Sequence, residues 1–387
     1  MKNDVKARKW FHDAGIKKIF VLTIAFKLTA LTVIAVGAVF LPFNTANYTA
    51  NFHYPPYRAP DFFTRFTTWD AQHYLYLADH GYAPGLMSDT FYPLFPFLVH
   101  LASFLFFGNA LAAGLLLSTL FTLGSMLFLY SLVRKIHGEE AALNSCLLLL
   151  AFPMSFFLGL VYADSLFLML AVGFFYFSQV GKGWLAIICA FLLPLTKPTG
   201  ILAAVFSFAT VFCEKWPTYK GDYFNRRYYL YAAISLGFLA YLLVMEWLTG
   251  NYLSGFTAQH YFNSGYSIQN LFHPIDWILK NFIDVSYSFN GPTNGVVSRL
   301  VFIGFLVWLV TSFKTVGDPL WFYALVVGLV SALSGDLMSF SRYLVMIFPI
   351  FITMAIRFKS SVRYLAWAFA LVQIAFILLY SINEWVA

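Results

Sequence analysis

Long apolar runs separated by short polar breaks occupy most of the chain. The first run, about residues 19–41, is long enough to cross a bilayer at about 1.5 Å per residue. Further runs are predicted to be helical spans at about 110–133, 141–161, 165–180, 184–196, 199–213, 228–249, 296–313, 320–333, 343–356 and 364–382. The pattern predicts an all-α polytopic membrane protein with about eleven transmembrane helices. It forms one domain over residues 1–387, with no separate soluble domain.

The apolar segment 91–107 is ambiguous because it contains Pro93, Pro96 and His100. The positive-inside rule favours a helix that lies along the outer interface instead of crossing. Most Lys and Arg residues then fall in cytoplasmic loops, the N-terminus faces the cytoplasm and the C-terminus faces outside. Two long loops, about 43–108 and 250–295, share the outer face and carry juxtamembrane helices.

Composition narrows the class of protein. The chain is 60% hydrophobic and 11% charged, whereas a soluble globular protein is about half apolar and a quarter charged. This excludes a soluble enzyme, a disordered protein and a disulfide-stapled secreted domain. The net charge of +7 suits cytoplasmic loops better than a nucleic-acid surface. Cys146, Cys189 and Cys213 lie in or beside apolar runs, which argues against a disulfide framework and a metal cluster.

The first outer loop contains a candidate proton acceptor. Residues 69–82 read as a short amphipathic helix that ends at Gly81, and Asp70, His73 and Tyr74 share one face of it. A carboxylate beside an imidazole at a membrane interface is suited to take a proton. The alternative is that Asp70 caps the helix or pairs with Arg65, while His73 only packs.

Further charged residues recur at helix ends on the predicted outer face. Asp164 and Asp336 stand at the starts of apolar runs, where the alternative role is helix capping. Lys197 and Arg342 also lie at helix ends, where two cations would hold a phosphate or pyrophosphate. Their alternative role is snorkelling to lipid headgroups. No His/Cys spacing fits a zinc site, and no phosphate-binding loop or G-x-S-x-G elbow occurs.

Four short motifs occur in a characteristic order between residues 65 and 350. They are W-D-A-Q-H-Y-L at 69–75 with G-Y at 81–82 and Y-P-L-F-P at 92–96, F-P-M-S-F-F at 152–157 with Y-A-D-S-L-F at 162–167, T-K-P-T-G at 196–200, and S-R-Y at 341–343 with F-P at 348–349. Together they resemble the GPI mannosyltransferase 2 (PIG-V-type) family, which has bacterial and archaeal members in the GT-C glycosyltransferase superfamily.

The resemblance implies a GT-C fold and an inverting transfer of a sugar from a polyprenyl-phosphate donor on the outer or lumenal face. It implies that Asp70 is the general base, that His73 orients Asp70 or the acceptor, and that Asp164 is a second acidic residue. Lys197 and Arg342 would hold the donor phosphate. Lys197 replaces the usual arginine and Asp164 a common glutamate, and both changes keep the charge type.

The predicted function is therefore a membrane glycosyltransferase, with mannose as the expected sugar and a lipid or glycan as the acceptor. Eight further residues are expected to line the substrate site: Trp69, Gln72, Tyr74, Tyr162, Asp336, Tyr343, Gln259 and His260. No cofactor is expected; a metal-free site is favoured, although a divalent metal stays open. The expected location is a prokaryotic plasma membrane, with membrane lipids as partners and no nucleic acid. The alternatives are a transporter or flippase of a lipid-linked sugar and a non-catalytic partner subunit.

Overall fold

The computed structural model describes residues 13–202, 224–262, 267–283, 296–335 and 337–386, with only the backbone described for 224–231, 268 and 318. These residues form helices and no strand, so the all-α prediction is confirmed for the described part of the chain. The α-helices are α1 Ala14–Phe40, α2 Thr45–Ala50, α3 Asp70–His80, α4 Leu94–Ser103, α5 Ala110–His137, α6 Glu139–Ala151, α7 Asp164–Gln179, α8 Gly183–Leu192, α9 Phe224–Thr249, α10 Ser254–Thr257, α11 Pro274–Ile278, α12 Val296–Val316, α13 Asp318–Leu333, α14 Phe340–Tyr343, α15 Pro349–Arg357 and α16 Val362–Ser381. Short 3-10 helices connect several of them.

Five helices are long and apolar enough to cross a membrane: α1, α5, the part of α9 over Ala232–Thr249, α12 and α16. The number rises to seven if each of two bent helix pairs is counted as one span. Helices α7, α8 and α13 are apolar but shorter. The chain is therefore a multi-pass membrane protein, while the count of eleven spans stays a prediction.

Two runs that the sequence suggested were single spans are sharply bent. Helix α6 and the 3-10 helix Pro153–Gly159 meet at 87°, and the stretch Phe340–Met346 meets α15 at 81°. A proline lacks an N–H donor and disfavours α geometry in the residue before it. Phe152, before Pro153, accordingly has ψ 138°, and the second break falls at Ile347, shortly before Pro349. The bends bring irregular backbone into the bundle.

A layer of short helices covers one end of the bundle. The predicted helix in the first outer loop is confirmed as α3, which ends at Gly81 with φ +77°. Helix α3 packs on α4, and α4 packs on α5. The apolar stretch Leu94–Phe106 is shorter than the candidate spans, and the interfacial position of 91–107 stays a prediction.

Polar contacts sort the helix ends onto two faces. At one face, Arg65 donates to the carbonyls of Leu41 and Ser381 at 3.1 Å, tying the first loop to the ends of α1 and α16. At the other face, Arg134 pairs with Asp13, and Lys359 pairs with Glu140 at 2.6 Å. The first loop and the end of α16 thus share a face, while the topology in the membrane stays a prediction.

Candidate active site

The centre of the candidate site is a buried pair between Arg342 and Asp164. Arg342 donates from Nη2 to Asp164 Oδ2 at 2.8 Å and from Nε to Oδ1 at 3.2 Å. The side chains are 5% and 1% exposed, so both charges have left water. A two-point contact of this kind is the strongest geometry available to a guanidinium and a carboxylate, and burial requires it.

Asp70 and Lys197 complete a cluster of four charges. Arg342 Nη1 donates to Asp70 Oδ2 at 2.7 Å, and Lys197 Nζ lies 3.1 Å from Asp164 Oδ1. The four residues come from separate segments of the chain, and their formal charges cancel. Both cations form ion pairs inside the protein. Asp70 pairs with Arg342 instead of Arg65, whose bonds go to backbone carbonyls.

Strained backbone precedes two of the four charged residues. Trp69, just before Asp70, has φ +59°, and Ser339, at the start of α14, has φ +60°. Positive φ is uncommon for residues other than glycine and costs about 1–3 kcal/mol, so it persists only where the surroundings enforce it. The strain falls where α3 and α14 present Asp70 and Arg342. Asp164 is the first residue of α7 but makes no capping bond, since the N-cap position is Ala163.

Aromatic rings line the guanidinium. The Arg342 Cζ atom lies 4.6 Å from the ring centroid of Tyr162 and 4.7 Å from that of Phe157. Lys197 Nζ lies 5.8 Å from the ring centroid of Tyr343. Tyr162 also donates from its hydroxyl to the Thr68 carbonyl at 3.0 Å. These contacts lock the first outer loop to the bend that follows α6.

His73 lies on α3 but away from the charge cluster. Its ring is stacked between Phe52 and Phe91, with centroid distances of 4.0 and 4.6 Å, and its Nδ1 lies 2.8 Å from Ser88 Oγ. Burial lowers the pKa of His73 to about 4, an effect that the charge of Asp70 opposes. The imidazole is therefore neutral at pH 7, and no hydrogen bond joins it to Asp70. His73 therefore packs between two rings and does not orient Asp70 through a hydrogen bond, while a role in orienting the acceptor stays a prediction.

Three further predicted lining residues are largely enclosed by protein. Trp69 packs edge-on against Trp385 with centroids 4.9 Å apart. Gln72 Oε1 accepts the backbone N–H of Tyr54 at 2.8 Å. Tyr74 is buried beside the cluster, with its ring 6.2 Å from that of Tyr162. These contacts support the wall of the site, and a direct contact with substrate stays a prediction.

The second long loop places His260 at a separate cavity, with Gln259 beside it in the chain. His260 is exposed and lines a cavity of about 190 Å³ between residues 84–86 and 249–261, which none of the four clustered charges lines. Gln259 is half-buried in the same 3-10 turn, Ala258–Tyr261. Asp336, also predicted to line the site, lies outside the described residues.

A buried carboxylate that sequence reasoning missed connects the two long loops. Asp89 Oδ2 accepts from Ser254 Oγ at 2.8 Å, and burial raises the pKa of Asp89. Phe157, one face of the Arg342 enclosure, was also missed. Phe157 belongs to the F-P-M-S-F-F motif, but no role was expected of it. Asp89 has no local signal, because it lies in a polar stretch without periodicity and its partner is 165 positions away.

Among the described residues, no group of three or more His, Cys, Asp or Glu side chains is arranged to hold a metal ion. No family model matches the chain. No curated protein matches it either.

Solved structures of an archaeal enzyme are distantly similar. The chain matches the Archaeoglobus fulgidus oligosaccharyltransferase crystallised with Zn and sulfate, with a TM-score of 0.43, 13% identity and coverage of 94% of this chain and 52% of that one. It also matches the oligosaccharyltransferase AglB of that organism in complex with an inhibitory peptide and a dolichol-phosphate, with a TM-score of 0.42, 13% identity and coverage of 92% and 55%. The chain thus spans about half the length of these proteins. Likenesses this distant assign no family, so the functional proposal depends on the geometry of the site.

Proposed function

We propose that the protein is a membrane glycosyltransferase of the GT-C type, related to the PIG-V-type mannosyltransferases, and that it transfers a sugar from a polyprenyl-phosphate donor to an acceptor hydroxyl. The narrower form of the proposal names mannose and inversion at the anomeric carbon. The observation that carries it is the convergence of Asp70, Asp164, Lys197 and Arg342 at one end of the bundle. The sequence motifs around these residues support the same assignment.

Arg342 and Lys197 are the proposed donor-phosphate ligands. A guanidinium has five N–H groups, of which three donate to the two carboxylates, and an ammonium has three. The remaining N–H groups suit the oxygens of a phosphodiester. Leaving-group charge that develops on the phosphate in the transition state would be stabilised by these preorganised cations.

Asp70 is the proposed general base because it is the more accessible of the two carboxylates in the cluster, Asp70 and Asp164. Its side chain is 22% exposed, against 1% for Asp164, and no described residue donates to its Oδ1. In the proposed step Asp70 takes the proton of the acceptor hydroxyl, whose oxygen attacks the anomeric carbon opposite the phosphate. The bond between that carbon and the phosphate oxygen breaks, and polyprenyl phosphate leaves with the bonding electrons.

Asp164 has a different proposed role. It accepts two bonds from Arg342 and lies 3.1 Å from Lys197, so it fixes both cations from one side. A buried carboxylate with both oxygens engaged is poorly placed to take a proton from an acceptor. We therefore assign Asp164 to holding the phosphate ligands in position.

The proposed reaction uses no metal ion, since two cations already stand where phosphate charge develops. Chelation of divalent ions should then leave transfer unchanged, whereas loss of transfer in EDTA with recovery in Mg²⁺ or Mn²⁺ would contradict this part of the proposal.

A transporter or flippase of a lipid-linked sugar is the competing function. Transporters typically place their site near the bilayer midplane, whereas Asp164 and Arg342 lie at the start of α7 and within the short helix α14. The position at helix ends beside an outer-loop carboxylate favours transfer over transport.

The deciding experiment supplies purified protein in detergent with synthetic polyprenyl-phosphate mannose and a membrane-lipid extract as acceptor. Formation of a mannosylated product without a second compartment supports transfer. Movement of the donor across proteoliposomes with no product would support the transporter instead. A non-catalytic subunit would give neither, and Asp70→Asn would then change nothing.

A further inference from the structure

The segment that connects α6 to Asp164 is irregular backbone inside the bundle. It forms the 3-10 helix Pro153–Gly159 and then becomes extended at Leu160, with φ −110° and ψ −178°. Carbonyls in such a segment have no α-helical partner. Within a membrane protein they need donors from other elements, because an unpaired polar group away from water costs several kcal/mol.

Three consecutive carbonyls of this segment receive side-chain donors from two neighbouring helices. Thr122 Oγ1 donates to the Leu158 carbonyl at 2.7 Å. Ser118 Oγ, one turn earlier on α5, donates to the Leu160 carbonyl, and Lys27 Nζ of α1 donates to the carbonyl of Gly159 between them. Thr122, Lys27 and Ser118 thus form a row of donors, one for each of the carbonyls of residues 158, 159 and 160.

The packing of α5 allows this close approach. A Cβ atom added at Gly114 would lie 2.7 Å from Val161 Cγ1, closer than side chains tolerate. Gly114, Ser118 and Thr122 are spaced by four and therefore lie on one face of α5. That face holds the segment from Leu158 to Val161 just before Asp164.

Lys27 is the costly member of the row. It is 7% exposed, lies within a candidate span and donates to the Leu115 carbonyl at 3.3 Å as well as to Gly159. No described carboxylate pairs with it. A buried cation in a membrane helix is expensive, and such residues usually carry a function. Its partners here are backbone carbonyls immediately before the charge cluster.

We infer that Lys27, Ser118 and Thr122 are positioning residues that set the place of Asp164. They fix the bend after α6, and Asp164 in turn holds Arg342 and Lys197. Resting on the proposed function, this means that the row controls donor-phosphate affinity without touching the donor. A displacement of about 1 Å at such a site costs about a hundredfold in activity.

The test measures binding of farnesyl phosphate to the purified full-length protein, together with transfer and the melting temperature. Lys27→Met and Thr122→Val remove donors to the bend with little change in volume, and Lys27→Arg restores a donor. Thr23→Val is the matched control, because the buried Thr23 hydroxyl donates, among the described residues, only within α1, to the Ile19 carbonyl at 2.9 Å.

We expect Lys27→Met and Thr122→Val to weaken farnesyl phosphate binding at least about tenfold, Lys27→Arg to recover most of it and Thr23→Val to match wild type. Variants that melt earlier but bind as tightly as wild type would show a structural role alone and overturn the inference. Wild-type protein that neither binds farnesyl phosphate nor transfers sugar would overturn the proposed function and this inference with it. Normal wild-type binding with an unaffected Lys27→Met protein overturns the inference and leaves the function intact.

Discussion

Arg342 Nη1 lies 2.7 Å from Asp70 Oδ2, and this bond joins residues 272 positions apart in the chain. Under the proposed function, it connects the group that binds the donor phosphate to the group that takes the acceptor's proton. The contact is a single bond to the more exposed carboxylate, whereas Asp164 holds Arg342 at two points. A phosphate oxygen that engages Arg342 would therefore displace Asp70 more easily than Asp164, which would link donor binding to release of the base.

Replacement of Asp70 by asparagine should separate chemistry from binding. We expect Asp70→Asn to lower kcat by about 10²–10⁴-fold, the range typical of a lost general base. Farnesyl phosphate should bind at least as tightly as to wild type, because Arg342 loses a competing negative charge. The measurements are single-turnover transfer from polyprenyl-phosphate mannose and equilibrium binding of farnesyl phosphate.

Asp79→Asn is the matched control for this prediction. Asp79 lies near the other end of α3 and is exposed, and among the described residues it accepts only from the Tyr54 hydroxyl, at 2.9 Å. The Asp79→Asn protein should transfer sugar at the wild-type rate. Equal rates for Asp70→Asn and Asp79→Asn would remove Asp70 from the reaction.

The sequence predicted the helix α3 and the shared face of the charged residues, because both follow from local pattern. The spacing of residues after Trp69 and the glycine at position 81 predict the bounds of α3. The distribution of Lys and Arg among the loops predicts which helix ends lie on the same face. The pairing of Arg342 with Asp164 is different in kind. It depends on how α14 packs against the 3-10 helix Pro153–Gly159, which precedes Asp164, and on φ +60° at Ser339, a conformation that no propensity favours.

Asp164 is predicted to be the most important member of the cluster for folding. Asp164→Asn leaves Arg342 and Lys197 buried without a full counter-charge, and breaking a buried pair from one side costs about 3–5 kcal/mol. A fall in apparent melting temperature, followed by intrinsic fluorescence in detergent, would report this loss.

The control for Asp164 is an ion pair in water. Lys359 and Glu140 are 65% and 61% exposed, and exposed pairs contribute about 0–1 kcal/mol. Glu140→Gln should therefore melt close to wild type. If Asp164→Asn melted no earlier than Glu140→Gln, the cluster would not be the tightly coupled unit that its distances indicate.

Lys197 is predicted to contribute to donor affinity through its charge. Lys197→Met should weaken farnesyl phosphate binding about tenfold to a hundredfold, the value of one hydrogen bond to a charged group. Lys197→Arg should retain binding, since a guanidinium keeps the charge and adds donors. The control is Lys182→Met. Lys182 is exposed and stands just before the N-terminus of α8, so this variant should bind farnesyl phosphate as tightly as wild type. Unchanged binding in Lys197→Met would exclude this residue as a phosphate ligand.

His73 shows where pattern reasoning reaches its limit. Its spacing from Asp70 suggested a working pair, but spacing specifies only a shared face and not the direction of a ring. Phe52 and Phe91 come from the loops on either side of α3, and their stacking on His73 depends on loop packing that no period reveals. Ser88 provides its hydrogen-bond partner in the same way.

The low pKa of His73 predicts how stability depends on pH. An unfolded chain has a histidine pKa of about 6.5, whereas burial lowers that of folded His73 to about 4. Between these values the unfolded state binds a proton that the folded state does not, so stability falls as the pH drops from about 6.5 towards 4. Above about pH 7 His73 contributes no pH dependence. Over this whole range the free energy of unfolding should fall by about 3 kcal/mol. His73→Phe keeps the stack between the two rings but cannot bind the proton. Its melting temperature should therefore fall less than that of wild type when the pH is lowered from 8 to 5. His260→Gln changes an exposed position and should show the same pH dependence as wild type. Wild-type and His73→Phe curves that stay parallel across this range would contradict a buried neutral imidazole.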